Sequence, residues 1–372
     1  MPRNVPSATG AGTAPRVVSQ PGFGADNVGV TNLDARPAEI AGGDRRGGRA
    51  LTIAPRDVPL GGPRAMAVRR TLPSRERSLI GAWCFLDHYG PDDVSVSGGM
   101  KVAPHPHTGL QTVSWLFTGE IEHRDSAGNH AMVRPGEVNL MTGGHGISHS
   151  EISTDATPVL HGAQLWVALP DEHRDTDPHF DHFAPAPLEG PGWTVRVFLG
   201  SLLGVTSPVP TYTPLLGAEV LLEPGTSLTV PVDATFEHGV LVDTGGVTVV
   251  ATGSTGDEWP VATPVAKDHL AYTPPGATSL TLAAGPAWTR LLLLGGPPFG
   301  ESIVMWWNFV GRTHEEVVAY RDAWQAAITG PDGDVVGDSQ LVSDSRFGVV
   351  LGDHLPPIPA PPLPGVRLRA RQ

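Results

Sequence analysis

Forty-six glycines and 38 prolines interrupt this 372-residue chain, and that punctuation limits its fold more than any other feature. In a helix interior glycine costs about 1 kcal/mol and proline about 3 kcal/mol relative to alanine. Long helices are therefore confined to the few stretches without them. The apolar runs between the breaks are short: Thr112–Phe117, Gln164–Leu169, Val195–Leu199, Val220–Leu222, Gly239–Val242, Leu280–Ala283 and Leu291–Leu294. Runs of this length, bounded by Gly, Pro, Asp and Asn, are the pattern of β-sandwiches and barrels. A hydrophobic content of 40% is enough to fill real cores. At roughly 150 residues per domain the length predicts two domains plus tails.

Composition marks the boundaries. Residues 1–50 are rich in Gly and Pro, hold one aromatic (Phe23) and show no hydrophobic period, which predicts a flexible arm. A first β-domain is expected over 51–185. The Pro/Gly-rich segment Ala184–Gly192 serves as the linker to a second at 190–300. One helix is signalled in the region 301–330. Thr313-His314-Glu315-Glu316 is a capping box, Val317, Tyr320, Trp324 and Ile328 follow at helical spacing, and Gly330-Pro331 stops it. A Pro-rich tail, 331–372, is expected to run extended and to pack in part on the barrels.

Charge and cysteine usage exclude several roles. The formal charge of −13 repels phosphate backbones, so no direct nucleic-acid contact is expected. No apolar run approaches the roughly 18 residues of a membrane span, and the N-terminus lacks the apolar core of a signal peptide. The single cysteine, Cys84, sits in an apolar run as a packed hydrophobe. It allows neither an intrachain disulfide nor a cysteine zinc site, which fits a reducing cytoplasm.

The chemistry lies between Gly98 and Glu151. His105-Pro106-His107 and His149-Ser150-Glu151 each place two ligand-type residues at i and i+2, which share one face of a strand. Turns at Phe117–Glu120, Arg134–Glu137 and Gly143–Gly146 make a meander between them. If the two strands lie side by side, three imidazoles and one carboxylate converge. An N3O set suits Fe(II), Mn, Co, Ni, Cu or Zn better than Mg or Ca. Four ligands leave two positions of an octahedron open for substrate or O2. Residues 190–300 hold His238 and His269 but no such pair, so one metal per chain is expected, in the first domain.

Taken together the motifs resemble the pirin family of the cupin superfamily. They are Arg70-Thr71-Leu72-Pro73-Ser74, Phe85 through Pro91, His105 through Gly109, Gly119 through Ser126, Pro135-Gly136-Glu137, Met141 through Glu151 and Gln164 through Pro170. Pro298 through Phe309 and Arg346-Phe347-Gly348 complete the set. The resemblance implies an all-β bicupin, two jelly-roll-like β-barrels with a short C-terminal helix. It implies one metal, usually iron, on His105, His107, His149 and Glu151, and a second barrel without ligands. Two positions depart from the family. Gln111 stands where a Glu is common; its parity with the histidines predicts that it points inward and supports the site without binding metal. His145 stands where Arg or a small polar residue is usual and could add a titratable group at the cavity mouth. Trp115 shares the ligands' parity and is expected to line the cavity, whereas His123 is read as a structural hydrogen-bonder.

The resemblance implies a dioxygenase that opens flavonols such as quercetin with O2, Glu151 serving as both ligand and base. The alternative is a non-catalytic, iron-dependent co-regulator that binds a protein partner.

Overall fold

The computed structural model describes residues 51–59, 66–253, 260–335 and 345–371; the arm expected at 1–50 lies outside them. Short, Gly-bounded strands form two units built on one plan. In each, a seven-stranded antiparallel sheet faces a four-stranded one. The first unit orders its large sheet His179–Phe183, Val138–Thr142, Leu110–Thr118, Val159–Ala168, Trp83–Asp93, Ala67–Leu72, Arg56–Pro59. Its small sheet runs Lys101–His107, Ile147–Ser153, Ile121–Asp125, His130–Val133. The second orders Leu51–Ile53, Leu270–Thr273, Glu237–Thr244, Thr289–Gly296, Leu216–Leu222, Trp193–Leu199, Leu188–Gly190 against Ser227–Pro231, Ala277–Ala284, Gly246–Gly253, Val261–Ala266. This is the bicupin architecture.

The two large sheets pack against each other. Along Leu110–Thr118, Val113, Trp115 and Phe117 face the neighbouring barrel, while Ser114 and Leu116 face inward. A strand buried on both faces reads as a continuous apolar run, not an alternating one, which is why this segment stood out in the sequence. Trp115 stacks on Phe198 of the second barrel with ring centroids 4.5 Å apart. One strand crosses the expected boundary: Leu51–Ile53 pairs with Leu270–Thr273 and so completes the second barrel's sheet, not the first's.

A buried polar joint pins the same interface. His88 and His161 of the first barrel both donate Nε2–H to Asp243 Oδ1 of the second, at 2.7 and 2.6 Å. Arg290 Nε donates to Asp243 Oδ2 at 2.6 Å. Four distant segments meet in this joint, so no local pattern marks it.

The helix spans His314–Ile328. Thr313 Oγ1 accepts from Glu316 N at 3.1 Å, as the capping box requires. Glu316 does not reach back to its own cap; it accepts from Arg312 N at 2.6 Å and from Arg174 Nη1 at 2.8 Å. Val317, Trp324 and Ile328 join the first barrel's core cluster together with Phe347, Ile358, Ala360 and Leu368 of the tail. Trp324 Nε1 donates to Ile358 O at 2.8 Å. The C-terminal segment therefore closes over the first barrel, where the histidine pairs lie.

Candidate metal centre

The register brings the pairs together. His149 lies opposite His105, and Ile147 opposite His107, on adjacent antiparallel strands. A bulge between His149 and Glu151 shifts Glu151 opposite Val102. On its other side the same strand places Glu151 opposite His123 and His149 opposite Asp125. The rings of His105, His107 and His149 pack with centroids 4.3–5.0 Å apart. His105, His107, His149 and Glu151 are each about 1% exposed.

Two overlapping sets result. The ligand atoms of His105, His107 and His149 lie within 4.8 Å of one another, and so do those of His123, His149 and Glu151. His149 is common to both. Glu151 does not fall within that span of all three predicted imidazoles.

Hydrogen bonding decides what the rings present to the centre. His105 Nδ1 lies 3.0 Å from Ala103 O, and His107 Nδ1 lies 3.2 Å from Asn308 O. A carbonyl only accepts, so each Nδ1 carries its proton and, in the neutral ring, Nε2 is a bare lone pair. His149 Nδ1 lies 3.4 Å from His123 Nδ1, and His123 Nε2 lies 3.3 Å from Asp125 Oδ2. Asp125 accepts the His123 Nε2–H; where His123 Nδ1 is the bare nitrogen it accepts from His149 Nδ1, and the His149 Nε2 is then bare as well. His107 Nε2 and His149 Nε2 stand 3.1 Å apart with no proton left to share. Burial holds His105 down to about pKa 3. Burial, and then the neighbouring rings, hold His107 and His149 well below the ordinary range. Three imidazoles that aim lone pairs at one point are a candidate cation site. The relay from His149 through His123 to Asp125 is the outer support that ligating histidines ordinarily have.

Burial raises the pKa of Glu151, against His123 and Ser114, which favour its charged form. Ser114 Oγ lies 3.2 Å from Glu151 Oε1 and 2.9 Å from Gln164 Oε1. One hydroxyl proton thus serves two acceptors.

The His88, His161, Asp243 group also brings ligand-type atoms within 4.8 Å, but its chemistry is the reverse. Its imidazoles point N–H groups at the carboxylate, and Arg290 adds a fixed positive charge, so it is a hydrogen-bonded joint.

Two residues expected near the metal lie elsewhere. Gln111 donates to Thr142 Oγ1 at 2.9 Å and bonds to none of the four predicted ligands. It shares a strand face with Val113 and Trp115. Parity does not carry from His107 to Gln111, because the turn at Thr108-Gly109, with Gly109 at φ +67°, moves the chain from the small sheet to the large one. The same break turns Trp115 into the interface between barrels. The tryptophan beside the ligands is Trp166, with its ring centroid 5.2 Å from that of His107. His145 is 40% exposed in its turn, 3.7 Å from Asp177. His123 is a hydrogen-bonder between His149 and Asp125 as expected, and His123 and Asp125 have the same i, i+2 spacing as the predicted ligands. Cys84 is packed as expected, its thiol pushed up to about 12 by burial.

Comparison with known proteins agrees with this geometry. The Pirin family pattern matches residues 65–167, and the Pirin C-terminal cupin domain matches 217–330. The chain belongs to the pirin family. A protein of Pseudomonas aeruginosa named "Putative quercetin 2,3-dioxygenase" is 42% identical over 313 residues, covering 84% of this chain and 90% of the relative. A pirin-like protein of Caulobacter vibrioides is 36% identical, covering 70% and 88%. The crystal structure of a quercetin 2,3-dioxygenase from Acinetobacter baumannii superposes with a TM-score of 0.74 at 35% identity, over 86% of this chain and 97% of that one. Among the described residues no helix is long and apolar enough to cross a membrane.

Proposed function

We propose that this pirin is a metal-dependent dioxygenase that opens flavonols such as quercetin with O2 and releases CO. His105, His107, His149 and Glu151 hold one divalent metal, Fe(II) in the first instance, with Mn, Co, Ni, Cu or Zn as substitutes. The observation that carries the reading is the convergence of three bare imidazole Nε2 atoms with a buried carboxylate alongside. When bound, the metal supplies Lewis acidity toward the substrate's hydroxyl and keto oxygens and an electron path to O2. The chain's own residues do the rest. Asp125 and His123 hold the His149 ring in place, and the carbonyls of Ala103 and Asn308 hold His105 and His107. Glu151, the one carboxylate at the site with a pKa raised by burial, accepts the flavonol hydroxyl proton, and Ser114, hydrogen-bonded to Glu151 and Gln164, holds it in place. Burial keeps bulk water off the reacting centre.

The test is metal-replete protein with quercetin in air, each metal loaded separately. Loss of flavonol absorbance with CO release is expected for at least one metal, and its abolition in His149→Ala. No turnover from fully loaded protein with any of them would refute the enzyme reading. Capture of a protein partner that depends on the metal's oxidation state would then favour the co-regulator alternative.

A further inference from the structure

We propose that the second barrel carries a ligand site of its own, for a small neutral aromatic alcohol, with His238 as its polar anchor. A cavity of about 520 Å³ opens at the end of this barrel, within the range of about 300–1,000 Å³ common for small-molecule sites. Leu202, Val209, Leu216, Val232 and Phe236 give it apolar walls, and His238 lies in the same wall. His238 sits on the strand Glu237–Thr244 with Val240 and Val242, on the face turned into the barrel. It is about 1% exposed, and both its ring nitrogens lack a hydrogen-bond partner. His105, His107 and His149 each have Nδ1 placed by a carbonyl or a second histidine; neither nitrogen of this ring has a partner. A buried polar group left unsatisfied is costly, and where one persists beside a cavity a ligand is the natural partner.

The surroundings select the ligand. Burial holds His238 neutral, its pKa brought down to about 4 against the pull of Asp233, so it offers one N–H donor and one bare nitrogen and no charge to attract an anion. The Asp233 carboxylate in the same lining disfavours anions further. A hydroxyl both donates and accepts, so it satisfies either tautomer. Phe236, with its ring centroid 6.2 Å from that of His238, gives an aromatic body something to pack on. Because the ring is covered, the ligand reaches it by displacing the half-buried Phe236 side chain.

The probe is 2-naphthol, with naphthalene as the control that lacks the hydroxyl, titrated into metal-replete protein labelled with 15N in its histidine rings. Saturable binding that moves the His238 ring resonances, and affinity for 2-naphthol reduced about tenfold or more (about 1.4 kcal/mol) in His238→Phe, are expected. The same variant should keep its metal and melt no lower than wild type, since it removes the unpartnered nitrogens. His149→Ala should bind 2-naphthol unchanged, which separates this site from the flavonol site. Absence of saturable binding to wild-type protein overturns the proposal without touching the dioxygenase reading. So does equal affinity in His238→Phe, equal affinity for naphthalene, or loss of binding in His149→Ala.

Discussion

The two barrels share a strand plan and differ in what their small sheets turn inward. In the first, Lys101–His107, Ile147–Ser153 and Ile121–Asp125 present His105, His107, His149, Glu151 and His123. In the second, the matching positions are filled by Leu228, Val230, Val247, Val249, Ala251, Leu280 and Leu282. The fold does not need ligand pairs on its small sheet, because the second barrel's small sheet turns aliphatic side chains inward. The first barrel accepts buried imidazoles and a carboxylate at a cost, which makes sense where those groups perform chemistry. On the proposed reading metal binding belongs to the first barrel, and the second barrel's small sheet serves packing.

The largest effects should come from the ligand set. Glu151→Gln keeps the shape of the side chain but removes its charge and its capacity as a base. Metal affinity and quercetin turnover should both fall, turnover by about 10²–10⁴-fold if it is the general base. Full turnover with metal bound would remove Glu151 from proton transfer. Gln111→Ala should leave metal content and turnover near wild type, since Gln111 contacts Thr142 and none of the ligands.

The next largest concern stability. Leu280→Ala empties part of the second core and should cost about 2–5 kcal/mol in denaturant titration, with the metal retained until the chain unfolds. Metal loss well before unfolding would show that the barrels are not separable in role. Asp243→Ala breaks the joint between them and should cost about 3–5 kcal/mol, because two imidazoles and Arg290 lose their acceptor.

The joint also sets a pH dependence. Burial lowers the His161 pKa, against Asp243. From about pH 6.5 downward the unfolded chain therefore takes up the proton first, and stability falls. Burial pushes Asp243 up, but hydrogen bonds from His161 and His88 and the charge on Arg290 outweigh it and hold its pKa down. Its contribution is present above about pH 3.9 and is lost as the pH drops below that. Thermal melts of wild-type protein should decline across both windows, and the lower decline should be shallower in Asp243→Ala. The smallest effect is chemical. Cys84, buried and with its thiol at about 12, should resist iodoacetamide at pH 8 when folded and react fully in denaturant.

Much of this was legible in the chain. The ligand pairs announce themselves because i, i+2 spacing on a strand is a local rule, and the helix does so through Thr313 and its apolar stripe. Gln111 and Trp115 were misplaced because that same rule fails at a glycine turn that changes sheets, and a sequence does not print which sheet a strand joins. The crossing of Leu51–Ile53 and the joint of His88, His161 and Asp243 are set by pairings between segments far apart in the chain. His123 bonds Asp125 on its own strand and His149 on the next, and only the second pairing depends on a sheet register that no local pattern prints.

Metal analysis of the purified protein tests the central assignment most directly. Wild-type chain and His238→Phe should each carry close to one transition-metal ion per chain, and folded His149→Ala should carry almost none. A ratio near two, or a folded His149→Ala that keeps its metal, would contradict the assignment of a single centre to the first barrel.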